Sequence, residues 1–338
     1  MHRVLLRFVF AGGLFALVAG FAPASCADDI GFAPAEGAAP CVVPCVEDPW
    51  LTFSADALFL HLNRGTRSAE PLVIAVFENE TRMTTHDLSF GTEVGPRFAF
   101  DIGLDSHRSI ETVYFGLHQW GSTRDVADEN NLSIPSPLAV TTQDFFMADR
   151  MTLDYRSRIH NVEVNYWRRL GCTNFHLLAG FRYFNLDERF NINSEDDQTG
   201  TSDYRVNARN NLYGAQLGGR WEATRGQLGV DFFGKAGVFG NAAGQRTFMG
   251  DLDNTVVLRD FNTTGSRTAF IGELGINATW RFTECLAARA GYQLMWVEGV
   301  ARAPDQLDFT NTLQSGSALV FDQGAFMHGA HVGLEARW

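Results

Sequence analysis

From Leu51 to the end of the chain, apolar and polar residues alternate with a period of two. Successive strand side chains point to opposite faces, so this period predicts strands with one apolar face each. The clearest stretch runs from 270 to 282. Phe270, Gly272, Leu274, Ile276, Ala278, Trp280 and Phe282 share one side. Ile271, Glu273, Gly275, Asn277, Thr279 and Arg281 share the other. The next segment repeats the pattern with Leu286, Ala288, Ala290, Tyr292, Leu294 and Trp296 opposing Ala287, Arg289, Gly291 and Gln293. The last has Phe326, Ala330, Val332, Leu334 and Trp338 against Gly329, His331, Gly333, Glu335 and Arg337. One face is thus apolar with aromatics near its ends, and the other is small or charged.

Ten strands are predicted: 51–62, 93–104, 109–120, 149–169, 175–190, 204–222, 227–240, 267–282, 285–297 and 325–338. A soluble sandwich would hide the apolar face in a core, and a membrane barrel would turn it to lipid. Sandwich strands run to about 5–6 residues, whereas most of these reach the ~9–11 needed to cross a bilayer. The connections alternate as well. Residues 63–92, 121–148, 191–203, 241–266 and 298–324 are long and polar, while 105–108, 170–174, 223–226 and 283–284 are short. Long connections at one end and tight turns at the other predict an all-β, antiparallel, transmembrane up-and-down β-barrel of ten to twelve strands. Residues 72–77 and 255–261 are the candidates for extra strands. An even count places both termini at the short-turn end.

Composition supports this picture. The chain is rich in Gly and Phe and poor in Pro, and beyond residue 25 no apolar run approaches the ~18 residues of a spanning helix. A formal charge of −12 argues against a nucleic-acid partner, which needs a basic face to neutralise phosphates. Arg3 and Arg7, the apolar stretch Phe8 to Phe21, and the small residues Ser25-Cys26-Ala27 predict an export signal over 1–27. Pro23 stands where a lipoprotein signal wants an aliphatic residue. Residues 28–49, rich in Ala and Pro, are expected to be a linker, and 50–338 the barrel. Cys41 and Cys45 are close enough to pair, Cys172 and Cys285 stand apart, and the set lacks metal-site spacing. Trp338 closes an alternating strand, as in many bacterial outer-membrane proteins, and is the expected signal for the barrel-assembly machinery.

Several segments carry a resemblance. They are Asn161-Val162-Glu163-Val164-Asn165, Leu178-Ala179-Gly180-Phe181-Arg182-Tyr183-Phe184 with Leu186 and Glu188, and Asn211-Leu212-Tyr213-Gly214-Ala215-Gln216-Leu217-Gly218. Gly291-Tyr292-Gln293 and the closing run from His328 to Trp338 complete the set. Together they resemble a β-barrel porin family, the seventh of that title, found mainly in planctomycete genomes. The resemblance extends over roughly residues 50–338. It implies an outer-membrane barrel of a Gram-negative envelope and a role in transport, and no catalytic residue carries over from it.

The inward face is expected to carry Glu111, Glu163, Arg182, Arg220, Asp231, Lys235, Glu273, Arg281, Arg289, Glu335 and Arg337. Five acids and six bases nearly balance, so a strong preference for anions or cations is not expected. Two functions follow. One is a small passive pore for ions or small solutes, its charged ring setting selectivity. The other is a structural or adhesive barrel, closed by ion pairs across a narrow lumen, with extracellular loops that bind partners. Inward glycines (Gly214, Gly218, Gly237, Gly275, Gly291, Gly333) would leave space in the lumen, or relieve crowding at bends. No cofactor is expected, and the expected partners are outer-membrane lipid and the assembly machinery.

An enzyme is not expected, because hydrolase, zinc-helix and phosphate-loop motifs are all lacking. His86-Asp87, Asp144 and Asp149 could be drawn into a rim protease site only without the support of a motif. The acidic stretches Glu195-Asp196-Asp197 and Asp251-Leu252-Asp253-Asn254 lack an EF-hand's spacing and are expected to be solvated tips. His328 and His331, three apart in a strand, point to opposite faces and cannot share a metal.

Overall fold

The computed structural model describes residues 49–63, 69–171, 173–312 and 314–338. The expected signal, nearly all of the linker, and Cys41, Cys45 and Cys172 lie outside the described residues. Twelve strands form: β1 (Leu51–Leu62), β2 (Pro71–Ala75), β3 (Glu80–Thr84), β4 (Thr92–Asp105), β5 (Arg108–Ser133) and β6 (Phe146–Arg169). They continue as β7 (Phe175–Asp196), β8 (Gly200–Arg225), β9 (Leu228–Asp251), β10 (Val256–Arg281), β11 (Leu286–Val300) and β12 (Gln323–Arg337).

Ten of these close into an antiparallel barrel in the order β1, β4, β5 to β12, and back to β1. Closure comes from β1 against β12, from Thr52 opposite Arg337 to Leu62 opposite Met327. The backbone of Trp338 donates to Leu51 O at 2.9 Å, so the last residue ties the seam. β2 and β3 stand outside the ring as a hairpin pairing with the far end of β5, Ile74 opposite Ser133. The expected extra strand at 72–77 therefore forms, but adds nothing to the wall. Residues 255–261 are part of β10.

The outward positions carry the large exposed apolar residues, among them Phe98, Phe100, Val164, Phe181, Leu217, Phe232, Ile276 and Val332. Phe181 pairs with Val164, and Phe232 pairs with both Trp221 and Ile276, so they make one continuous belt. Water would penalise such a surface and a bilayer would not. Near the belt's upper edge the Tyr183 and Tyr213 rings lie 4.9 Å apart. Trp221 and Trp280 lie near the short turns, where amphipathic rings suit a lipid–water boundary.

Three of the five expected long loops are mostly strand. β5, β8 and β10 each have 26 residues, more than twice what a bilayer needs. Their outward faces turn polar above the belt, which blurs the alternation of polarity, while the backbone ladder continues. Within these three loops, 134–145 and the turns at 197–199 and 252–255 remain outside the strands. The barrel is thus lopsided: β5 to β10 make a tall wall, while β11, β12, β1 and β4 are short. A bulge at Leu117, with φ of 63°, exchanges the faces of β5. Beyond it His118 and Trp120 turn inward, and their ring nitrogens reach Leu58 O at 3.0 Å and Leu60 O at 3.2 Å.

Candidate functional site: a two-tier lumen

Toward the short turns the lumen is ionic. Glu163 on β6 is its hub. One carboxylate oxygen accepts from Arg182 of β7 and from Asn161 at 3.0 Å. The other accepts from Lys235 Nζ of β9 at 3.0 Å, Gln216 at 2.9 Å and Asn165 at 3.1 Å. Arg182 also pairs with Glu273 of β10, which lies 3.8 Å from Lys235. Two acids and two bases neutralise one another across strands β6 to β10, all buried. Such a cluster is tolerated because every charge is paired and both oxygens of its hub, Glu163, are hydrogen-bonded. Asp56 and Arg97 pair at 2.7 Å between β1 and β4, a pair absent from the sequence expectation.

Below this tier the lumen opens into a cup of about 260 Å³ at the short-turn end. Glu111 accepts from Trp167 Nε1 at 3.0 Å. Arg220 lies over the Trp167 ring and pairs with Glu222 at 2.6 Å. Asp231 accepts from Asn277 at 2.7 Å. Arg289 bonds Ser54 and lies 3.7 Å from Glu335, which also holds Arg337. Arg281 lines the same cup. The eleven residues expected at the lumen thus divide into Glu163, Arg182, Lys235 and Glu273 in the buried cluster and the other seven around the cup.

Toward the long connections the inner face is apolar, contrary to the expectation of a small or charged lumen throughout. Leu58, Leu60, Leu62, Phe115, Trp120, Ile159, Phe184, Leu212, Phe239, Met295 and Met327 form one cluster. At several inward glycines a neighbouring ring takes up the space. A Cβ on Gly237 would lie 2.7 Å from the Phe239 ring, and one on Gly275 would lie 2.4 Å from Phe233. In every wall strand at least one inward side chain is sealed from water. Leu60, Arg97, Trp120, Ile159, Phe184, Leu212, Phe239, Ile271, Met295 and Met327, one from each, are at most 6% exposed. A water-filled passage would wet its lining.

Two connections fold inward over this core. Leu138, Ala139 and Phe145 of the β5–β6 connection are buried in it, and Leu138 N donates to Phe309 O at 2.9 Å. The β11–β12 connection is held by a latch. Arg302, wholly buried, donates to Glu188 of β7 at 2.8 Å, to Tyr155 Oη of β6 at 2.8 Å and to Gly324 O at 3.0 Å. Glu188 also accepts from Ser157 and from Ala303 N. Asn210 of β8 takes both the N–H and the carbonyl of Ala301, at 2.8 and 2.7 Å. Arg259 donates to Asp308 O and Thr310 O. Strands β6, β7, β8 and β10 therefore all grip a segment that enters from β11. Arg302 sits outside any alternating run, so periodicity gave no signal for it. Glu188 belongs to one of the quoted family segments.

The three rim carboxylates that could be drawn into a protease site each accept a backbone N–H. Asp87 accepts from Thr84 N at 2.7 Å. Asp144 accepts from Asp253 N at 2.9 Å, and Asp149 from Asn130 N and Asp197 N at 2.8 Å each. Asp251 is buried and accepts from Asp144 N at 2.9 Å, while Asp253 at the tip is exposed. Asp196 caps its own turn through Gln198 N at 2.7 Å. Among the described residues no group of three or more His, Cys, Asp or Glu is arranged to hold a metal ion. His331 points inward, and His328 outward to Tyr292 Oη at 2.6 Å. Cys285 is exposed and free.

No curated protein matches the chain. Among solved structures it is similar to the outer membrane protease OmpT from Escherichia coli, at 10% identity and a TM-score of 0.48 over 85% of this chain and 96% of that one. The translocator domain of the autotransporter NalP from Neisseria meningitidis follows at 10% identity and 0.40, over 85% and 88%. The Ralstonia pickettii toluene transporter TbuX follows at 8% and 0.34, over 87% and 91%. None of the three bears on what this chain does. A family model described as "Putative beta barrel porin-7" matches residues 146–338, which take in β6 to β12. That is more than half of the sequence, and the chain belongs to this family of outer-membrane β-barrels.

Proposed function

We propose that this outer-membrane barrel is closed at rest and serves as a structural or adhesive element whose upper extension meets partners. The observation that carries this reading is that each of the ten wall strands has at least one inward side chain sealed from water. Conduction requires a continuous wet path, and the apolar tier interrupts one. On this reading the chain is exported by the signal at 1–27 and assembled through its terminal Trp338. Its short turns face the periplasm.

The second reading is a small passive pore for ions or small solutes. Family membership and the charged cup favour it. It requires the 301–322 connection to leave the lumen. Single-channel recording in a planar bilayer separates the two. The closed reading expects silence from the wild type, with insertion shown by heat-modifiable gel migration. It expects current steps from Arg302→Ala, which strands Glu188 and frees the latch. Steady wild-type steps whose selectivity changes with Arg289→Glu would overturn it in favour of the pore.

A further inference from the structure

Above the lipid belt, the outer face of β6 to β9 carries a lattice of arginines. Arg158, Asp187 and Arg209 are cross-strand neighbours in one row. In the next row Arg156 stands opposite Arg189, Arg189 opposite Asn207, and Asn207 opposite Arg246. Arg205 lies in the row beyond, opposite Asn191. All six arginines are exposed. Around Arg156, Arg189, Arg205 and Arg246 the surface forms a shallow concavity of about 710 Å³.

The charge balance here is unlike that of the rest of the chain. Six arginines face four aspartates. Asp154 pairs with Arg156, Asp187 with Arg209, Asp203 with Arg205, and Asp260 with Arg246 at 3.8 Å. The patch therefore carries a surplus of two positive charges in a chain of net −12. Arg158 and Arg189 have no acidic partner among the described residues; Arg189 reaches only Asn207, at 3.0 Å. Arg156 stands directly opposite Arg189, a like-charge cross-strand pair that destabilises a sheet, and Asp154, held by Arg156 at 2.9 and 3.2 Å, offsets only one of the two charges.

Position identifies the anion. The arginine rows begin four residues beyond the Tyr183–Tyr213 contact. At ~3.3 Å per residue and a tilt of ~40°, the first row stands about 10 Å above the rings and the next about 15 Å. The headgroup layer of an ordinary bilayer is only ~5–8 Å deep on each side. A phosphate that reaches the rows needs a taller carrier than a glycerophospholipid headgroup, and a sugar headgroup supplies one. Paired guanidinium forks suit phosphate oxygens, which they bind two at a time.

We propose that the outer face of β6 to β9 is a binding site for the phosphate groups of an outer-leaflet phosphoglycolipid, bridged by Arg156 and Arg189. The site is independent of whether the lumen conducts. The test uses the full barrel refolded in neutral phosphatidylcholine micelles, with diphosphoryl lipid A as the probe. Its melting is followed by heat-modifiable gel migration. Lipid A is expected to raise the wild-type Tm by roughly 3–6 °C. In the double variant Arg156→Gln, Arg189→Gln it is expected to raise it by much less. Without lipid A the variant melts close to the wild type, because relief of the like-charge pair offsets the loss of the exposed Arg156–Asp154 pair. That combination separates lost binding from lost folding. Should the Gln variant fail to fold, Arg156→Lys with Arg189→Lys keeps the charges but not the forks, and is expected to lose most of the shift. No wild-type shift, or an equal shift in both proteins, overturns the proposal. So does an equal shift from millimolar inorganic phosphate, which marks a free-ion site, or from dephosphorylated lipid A, which marks an acyl-chain effect.

Discussion

Near the short turns the lumen holds Glu163, Arg182, Lys235 and Glu273, which neutralise one another. Near the long connections it holds Phe184, Phe239, Leu212 and their neighbours, with a connection laid over them. The two tiers fill the same cross-section by different physics. The ionic tier is directional and depends on complete pairing, so one deletion leaves a buried charge without a partner. The apolar tier is non-directional, and its loss scales with the volume removed. Their contact also matters. The apolar tier keeps water from the upper side of the ion pairs, which strengthens each of them. In the cup below, the same residue types meet water.

Removing one cation from the ionic tier breaks the comparison most sharply. Arg182→Met leaves Glu163 and Glu273 sharing only Lys235, and the expected loss is about 3–5 kcal/mol. Urea unfolding in lipid vesicles, followed by tryptophan fluorescence, measures it. Adding Glu273→Gln restores the charge balance and is expected to recover part of the loss. If single and double variants unfold alike, the tier is held by packing, not by charge.

The apolar counterpart is Phe239→Ala. Gly237 beside the ring has no side chain with which to collapse into the gap, so the cavity persists. The expected cost is about 3 kcal/mol, read in the same unfolding assay. Unlike the charge deletion, it is expected to be insensitive to salt. A salt-dependent loss would mean that water had entered and reached the ion pairs.

The legible and illegible parts of this molecule divide along similar lines. Between β6 and β12 the alternation runs unbroken through the membrane belt, so parity alone places Glu163, Arg182, Lys235, Glu273 and Arg289 on one face. The ten wall strands were legible for the same reason. The upper tier was not. There the inward face is apolar and the outward face arginine-rich, so the polarity of the two faces reverses along a single strand. Arg156, Arg158, Arg189, Arg205 and Arg209 fall within expected strands, but Arg246 falls in the expected loop 241–266, so the pattern did not bring the six onto one face. The Leu117 bulge hid His118 and Trp120, because one extra residue exchanges the faces. Arg97 and Asp56 were within reach, since both fall on the inward parity of clean strands. Arg302 was not, because what aims it is its tertiary partner Glu188.

The smallest effect sharpens the comparison at the plug itself. Asp305 follows Arg302 in the same connection, and one of its carboxylate oxygens is buried without a partner. Burial raises its pKa from 3.8 to about 7; Arg302 opposes the shift, while Glu188, Asp322 and Glu70 add to it. A carboxyl whose pKa is higher in the docked state holds its proton more tightly there than in the released loop. Docking is therefore fully favoured below about pH 4, weakens as pH rises toward 7, and is level above that. The whole displacement corresponds to about 4 kcal/mol. The expected change in docking is on the order of 1 kcal/mol, because the carboxyl is partly open to water. Asp308, nearby, is held below its usual value, mainly by hydrogen bonds from Thr310 and Gly316 that outweigh its burial, so it titrates beneath this window. Amide exchange of residues 303–322 is the measurement. In the wild type protection is expected to be higher at pH 5 than at pH 8. In Asp305→Asn, which mimics the protonated group, it is expected to be high at both. Equal protection in the wild type at the two pH values would mean that the carboxyl already reaches water, and that the apolar tier is less tightly sealed at this corner than the ionic tier below it.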